Sequence, residues 1–118
     1  MNKRCVGKQK EELAVEFLIG RGVKIIDKNF ACKVGEIDLI CLDKGCLVFV
    51  EVKFRKNISY GYPQEAVTKN KRRKIILVSG YYRMLKHYGE NIQMRFDVIS
   101  ILNDEIIWDK NAFGYDDI

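Results

Sequence analysis

A single proline, Pro63, in a chain of 118 residues leaves no material for a proline-rich linker, and no repeat or low-complexity segment divides the sequence. Residues 1–118 therefore read as one domain with enough apolar mass for one core. No stretch approaches the ~20 consecutive apolar residues of a membrane span, and the N-terminus lacks the apolar core of a signal peptide. The expected setting is cytoplasmic, with no membrane partner. Histidine occurs once, as His87, and the cysteines Cys5, Cys32, Cys41 and Cys46 never fall in C-x-x-C spacing. Reduced thiols acting as small hydrophobes are the expectation, with a three-cysteine zinc site from Cys32, Cys41 and Cys46 as a lesser alternative.

What is present is an unusual pair of apolar, β-branched runs carrying charge, Gly35-Glu36-Ile37-Asp38-Leu39-Ile40 and Val48-Phe49-Val50-Glu51-Val52-Lys53-Phe54. Burying a carboxylate or an ammonium costs on the order of several kcal/mol unless a partner or a metal compensates. Residues two apart share a face of a strand, so Glu36 goes with Asp38, and Glu51 with Lys53 and Arg55. Asp43-Lys44-Gly45 marks a turn. A two-residue turn at Lys44-Gly45 sets Asp43 opposite Cys46, and counting outward sets Asp38 opposite Glu51 and Glu36 opposite Lys53. Opposed carboxylates with β-carbons roughly 5 Å apart repel, and a cation between them removes the repulsion. Oxygen donors without a nearby histidine favour Mg²⁺ or Mn²⁺. Such an ion polarises a phosphodiester and acidifies a water, while Lys53 can orient that water or neutralise developing charge. The plainer alternative is a surface hairpin with ordinary ion pairs.

Charge is also unevenly distributed. Between Lys53 and Lys86 the only acid is Glu65, and the segment carries a net +9 within a chain of net +5. Lys53, Arg55, Lys56, Lys69, Lys71, Arg72, Arg73, Lys74, Arg83 and Lys86 supply it, interleaved with Tyr60, Tyr62, Tyr81 and Tyr82. This pattern fits a groove for nucleic-acid phosphates with stacking faces. The alternative of a solvated helix face lacks the acids at i+4 that would balance Lys69–Lys74.

Periodicity predicts a helix over residues 7–20, with Leu13, Ala14, Phe17 and Leu18 on one face and Gly20-Arg21-Gly22 ending it. Glu11 lies beside that stripe, within reach of the acidic site over a sheet edge. A strand follows over Val23–Phe30, then the hairpin, then a long helix with Pro63 in its first turn, reaching about His87. Its expected buried stripe is Ile76, Leu77, Gly80, Tyr81, Met84 and Tyr88. Met94–Leu102 and Glu105–Trp108 read as two further strands around Asn103-Asp104. The order αβββαββ implies an α/β fold, a mixed sheet layered by helices.

These residues resemble the PD-(D/E)XK, restriction-endonuclease-like superfamily and, within it, the YraN-like family of small uncharacterised bacterial proteins. The resemblance runs over nearly the full length. It rests on Glu11 with Ala14, Asn29, Gly35–Ile40, Phe49–Lys53 with Arg55, Gly61, Ala66-Val67-Thr68 with Lys71, Arg95-Phe96-Asp97-Val98, and Asn111-Ala112-Phe113. It implies a three-layer restriction-endonuclease-like fold. It also implies Asp38 and Glu51 as metal ligands with the Val52 carbonyl as a third, Lys53 as the catalytic lysine, Glu11 as the helix glutamate that Holliday-junction resolvases add, and Lys71 as a phosphate contact. Glu36 is an accessory acid, and Arg55, Lys69, Arg72, Arg73 and Lys74 complete the nucleic-acid surface.

The expectation is a Mg²⁺- or Mn²⁺-dependent nuclease acting on DNA, branched or structured substrates included, with a homodimer supplying the second site that cutting both strands requires. The alternatives are a nucleic-acid-binding module on the same fold without chemistry, and an interaction subunit whose basic face meets an acidic partner.

Overall fold

The structure, a computed structural model, describes residues 3–55, 67–103 and 105–115. Two helices and five strands follow in the order αβββαββ: α1 (Lys3–Gly20), β1 (Lys24–Ala31), β2 (Glu36–Asp43), β3 (Cys46–Arg55), α2 (Lys69–Leu85), β4 (Met94–Leu102) and β5 (Glu105–Phe113). The strands form one sheet in sequence order, antiparallel except for β3 and β4, which run parallel and are joined through α2. A mixed sheet between two helices is the expected α/β arrangement, consistent with a restriction-endonuclease-like fold. None of the described helices is long and apolar enough to cross a membrane.

Each helix covers one face. Ala14 and Leu18 of α1 pack with Leu39, Cys41, Val48, Val50, Ile99 and Ile101. Ile75, Ile76, Val78 and Tyr82 of α2 pack with Ile37, Ile40, Leu47, Phe49, Phe96 and Val98. The strand period of two therefore sends alternate side chains of β3 into opposite cores, with Val48 and Val50 toward α1 and Leu47 and Phe49 toward α2. Glu51 and Lys53 continue the α2 side. Cys41 and Cys46 lie with the α1 core and Cys32 against the α2 core, so the three thiols pack as small hydrophobes on different faces.

The turn between β2 and β3 is the two-residue Lys44-Gly45 turn, with φ of 51° and 82° and Asp43 paired to Cys46. Positive φ at both central residues matches the twist of the flanking strands. Gly22, at φ 85°, closes α1 while the Val23 amide donates to the Leu18 carbonyl, the left-handed ending glycine permits.

Four expectations change. Leu13 is 40% exposed, since the buried line of α1 runs through Ala14 and Leu18. The second helix starts at Lys69, capped by Thr68, whose Oγ1 accepts from the Lys71 amide at 3.2 Å; Pro63 lies outside the described residues. In α2, Ile76 is buried as expected, but Leu77, Tyr81 and Met84 are 53%, 45% and 69% exposed, and Ile75, Val78, Ser79 and Tyr82 are buried in their place. This helix has two apolar stripes at helical spacing. The inward one places Tyr82 edge-on to Phe30 and Phe49, with centroids 4.9 and 6.0 Å away. The last strand also runs past Trp108 to Phe113.

One buried ion network fastens β2, β4 and β5. Asp97 is wholly buried and accepts from Arg95 Nε at 2.9 Å, Trp108 Nε1 at 2.9 Å and the Asn111 amide at 2.9 Å. Arg95 Nη2 also donates to Asp43 Oδ2 at 2.9 Å. Asn111 takes φ 54° within a bulge that directs its amide to Asp97. Removing the carboxylate strands a half-buried guanidinium, so Asp97→Ala is expected to lower stability by about 3–5 kcal/mol. Urea unfolding checks this, and a loss below about 1 kcal/mol would contradict it.

Candidate active site

The β2–β3 ladder keeps the expected register from Asp43↔Cys46 to Leu39↔Val50 and then ends. Asp38 is therefore not a ladder partner of Glu51, and Glu36 is not one of Lys53. Asp38 Oδ2 instead accepts the Val52 amide at 2.8 Å. The carboxylate takes up a backbone donor of β3 where the hairpin opens. On the other side, β1 pairs with β2 through Lys28↔Leu39 and Phe30↔Ile37, and between these pairs Asn29 adopts φ 53°. Asparagine tolerates this left-handed conformation. Around that point the facing alternation breaks, with Ile37 in the α2 core and Leu39 in the α1 core.

Glu51 is 4% exposed, and two ammoniums reach its Oε1, Lys71 Nζ at 2.6 Å and Lys53 Nζ at 3.4 Å. Lys71 comes from the first turn of α2, which Thr68 fixes. Burial draws the Lys71 ammonium down, but its hydrogen bond to Glu51 and attraction to Glu51 and Asp38 outweigh this and hold its pKa above the ordinary value. Lys53 shifts the other way, because burial and the adjacent Lys71 exceed the attraction of Glu51.

Among the described residues no ammonium or guanidinium forms an ion pair with Asp38. Burial, then repulsion from Glu51 and from Glu11, raises its pKa to about 7, against the lowering effect of the Val52 amide and Lys71. Glu11 thus acts on Asp38 electrostatically from α1. Among the described residues, however, no three His, Cys, Asp or Glu side chains gather closely enough to cage an ion. Asp38 and Glu51 remain as the oxygen donors, with the Val52 carbonyl on the same strand. Two hard carboxylates, one of them desolvated and without an ion-pair partner among the described residues, suit Mg²⁺ or Mn²⁺.

The remaining expected residues separate into groups. Glu36 is exposed at the start of β2. Lys69, Arg73 and Lys74 are exposed along α2, and Lys69, Asn70 and Arg73 line an open cleft of about 380 Å³. Arg72 serves the fold, with Nε donating to the Val67 carbonyl at 3.0 Å and its guanidinium 5.8 Å from the Phe113 ring centre. The Arg55 backbone ends β3 opposite Leu102, and its side chain lies outside the described residues.

Ser100 escaped the sequence reading. It pairs with Lys53 across the parallel β3–β4 ladder and is wholly buried, and its Oγ has no hydrogen-bond partner among the described residues. One serine inside Asp97–Leu102 carries no distinguishing local signal.

Residues 10–101 match the family described as "Uncharacterised protein family UPF0102". The chain is 42% identical over 113 residues to a UPF0102 protein of Lachnoclostridium phytofermentans, covering 96% of each chain. It is 44% identical over 115 residues to one of Clostridioides difficile, covering 96% of this chain and 100% of that one. It is 39% identical over 118 residues to one of Fusobacterium nucleatum, covering 100% and 98%.

Two predictions follow from the geometry. With Asp38 near 7 in the folded protein against an ordinary 3.8, the folded chain keeps a proton that the unfolded chain has lost between about pH 4 and 7. Asp38 therefore costs stability progressively as pH rises through that window. In chelator, the wild-type melting temperature is expected to fall relative to Asp38→Asn between pH 5 and 8, whereas parallel curves would contradict the shift. Ser100→Ala, which removes an unpartnered hydroxyl, is expected to be neutral or stabilising by about 1 kcal/mol in denaturant unfolding.

Proposed function

This chain belongs to the UPF0102 family, and from the geometry around Asp38 and Glu51 we propose that it is a Mg²⁺- or Mn²⁺-dependent nuclease of the PD-(D/E)XK type, hydrolysing phosphodiester bonds of DNA. The observation that carries the reading is the convergence of Asp38, Glu51 and Lys53 where the β2–β3 ladder ends, with Lys71 of α2 on the same carboxylate. A structural ion pair would balance its charges, as Asp97 and Arg95 do. Here Asp38 faces Glu51 and Glu11, and its carboxyl is pushed up to about 7, which is the pattern of a site built for an added cation.

A divalent ion on Asp38, Glu51 and the Val52 carbonyl would supply Lewis-acid polarisation of the phosphodiester and a more acidic water. The chain's own groups do the rest. Lys53, on the same strand as Glu51 and with its ammonium pKa lowered by burial, is suited, when its amine is neutral, to take the proton that the attacking water loses and, as an ammonium, to stabilise charge on the phosphate oxygens. The exposed Lys69, Arg73 and Lys74, with the N-terminal end of α2, hold the phosphate backbone and bring the scissile group to the carboxylates. Asp38 is held by the Val52 amide on Oδ2, and its Oδ1 has no hydrogen bond from the described residues that would keep it from an ion.

The test is incubation of the purified protein with end-labelled linear and branched DNA, and with RNA, in Mg²⁺ or Mn²⁺. Glu51→Ala and Lys53→Ala are expected to lower cleavage by on the order of a hundredfold or more while retaining binding in gel shifts. Wild-type activity equal to that of Glu51→Ala would refute the assignment. Salt-dependent binding without cleavage of any substrate would instead favour a non-catalytic nucleic-acid-binding module on the same fold.

A further inference from the structure

The arrangement around Glu51 bears on how the two proposed ligands would bind relative to one another, an inference that rests on the metal-dependent reading above. Glu51 is almost wholly buried, and its Oε1 lies 2.6 Å from Lys71 Nζ. A divalent ion taken up by that carboxylate would have to share it with the ammonium, and like charges on one nearly buried carboxylate repel strongly. Ion and ammonium therefore compete for one carboxylate. Lys53 is held on the same sheet face as Glu51 by β3, at 3.4 Å and with a side chain 22% exposed. Lys71 differs in that it sits in the first turn of α2 with its side chain 40% exposed, so it has room to swing away from the sheet.

Beside it along α2 lies the open cleft lined by Lys69, Asn70 and Arg73. An ammonium released into a surface that already carries Lys69, Arg73 and Lys74 meets no acid among the described residues of α2, and an anion entering there would give it a partner. A phosphate there would draw Lys71 off Glu51 and clear the carboxylate for the ion. An ion on Glu51 would free Lys71 for the phosphate.

We propose that Lys71 is a latch shared by two ligands, blocking Glu51 until a nucleic-acid phosphate or a divalent ion displaces it, so that the ion and the nucleic-acid backbone bind cooperatively. By linkage, each raises the affinity for the other by the same factor. An unliganded chain would then take up the ion weakly, and the metal site would assemble on nucleic acid.

The test is calorimetric titration of Mn²⁺ into the wild type, Lys71→Met and Lys71→Arg, each with and without a hydrolysis-resistant phosphorothioate duplex. In the wild type, DNA is expected to tighten Mn²⁺ binding on the order of tenfold. Lys71→Met should bind Mn²⁺ about that much more tightly than the wild type without DNA, and DNA should leave its affinity unchanged. Lys71→Arg, which keeps the charge, should preserve the coupling. Mn²⁺ binding to Lys71→Met that is equal to or weaker than wild type overturns the latch while leaving the metal site standing. An absence of Mn²⁺ binding in all three chains, with and without DNA and with native circular dichroism, overturns the metal-dependent reading itself.

Discussion

The interaction on which the site depends is the 2.8 Å hydrogen bond from the Val52 amide to Asp38 Oδ2. A carboxylate that captures a strand's backbone donor does two things together. It ends the β2–β3 ladder after Leu39↔Val50, and it places a carboxyl group among the buried apolar residues Ile37, Leu39 and Ile40 of β2. The backbone donor is satisfied, but a single amide does not offset the burial of a charge. Positive charge must come from elsewhere in the fold, and Lys53 and Lys71 both arrive at the neighbouring Glu51 rather than at Asp38.

Asp97 provides an internal comparison. It also sits within the sheet and also accepts a backbone amide, that of Asn111. Arg95 and Trp108 then complete its coordination, and the surplus guanidinium donor goes to Asp43. Hydrogen bonding to Asp97 leads the effects that raise the Arg95 pKa, outweighing burial. The same device thus appears twice with different surroundings. One aspartate is saturated and fastens three strands. The other faces Glu51 and Glu11, and its proton stays bound to about pH 7.

Helix α2 connects the core to the chemistry. Thr68 caps its start, and packing against Phe30 and Phe49 sets the rotation that sends Ile75, Ile76, Val78 and Tyr82 into the core. That same rotation brings Lys71 to Glu51 and leaves Lys69, Arg73 and Lys74 outward. Placing bases near the positive end of a helix dipole is unfavourable by itself. Glu51 offsets this for Lys71, and a bound anion would do so for the others.

Much of the fold was legible because its determinants are local. Lys44-Gly45 permits the two left-handed φ values of a tight turn, and a two-residue turn with a strand period of two fixes the register from Asp43↔Cys46 to Leu39↔Val50. Charges among β-branched residues marked Asp38, Glu51 and Lys53, since such burial needs compensation wherever it occurs. The sequence did not determine which apolar stripe of α2 faces inward, because Leu77, Tyr81 and Met84 have the same helical spacing as the residues that won; packing against Phe30 and Phe49 decided it. Nor did it determine where the hairpin opens, that Lys71 lies on Glu51, or that Ser100 is buried beside Lys53. Those depend on contacts between residues 14, 20 and 47 positions apart, and separations of that kind are set by how helices and strands pack, not by any local pattern of residues.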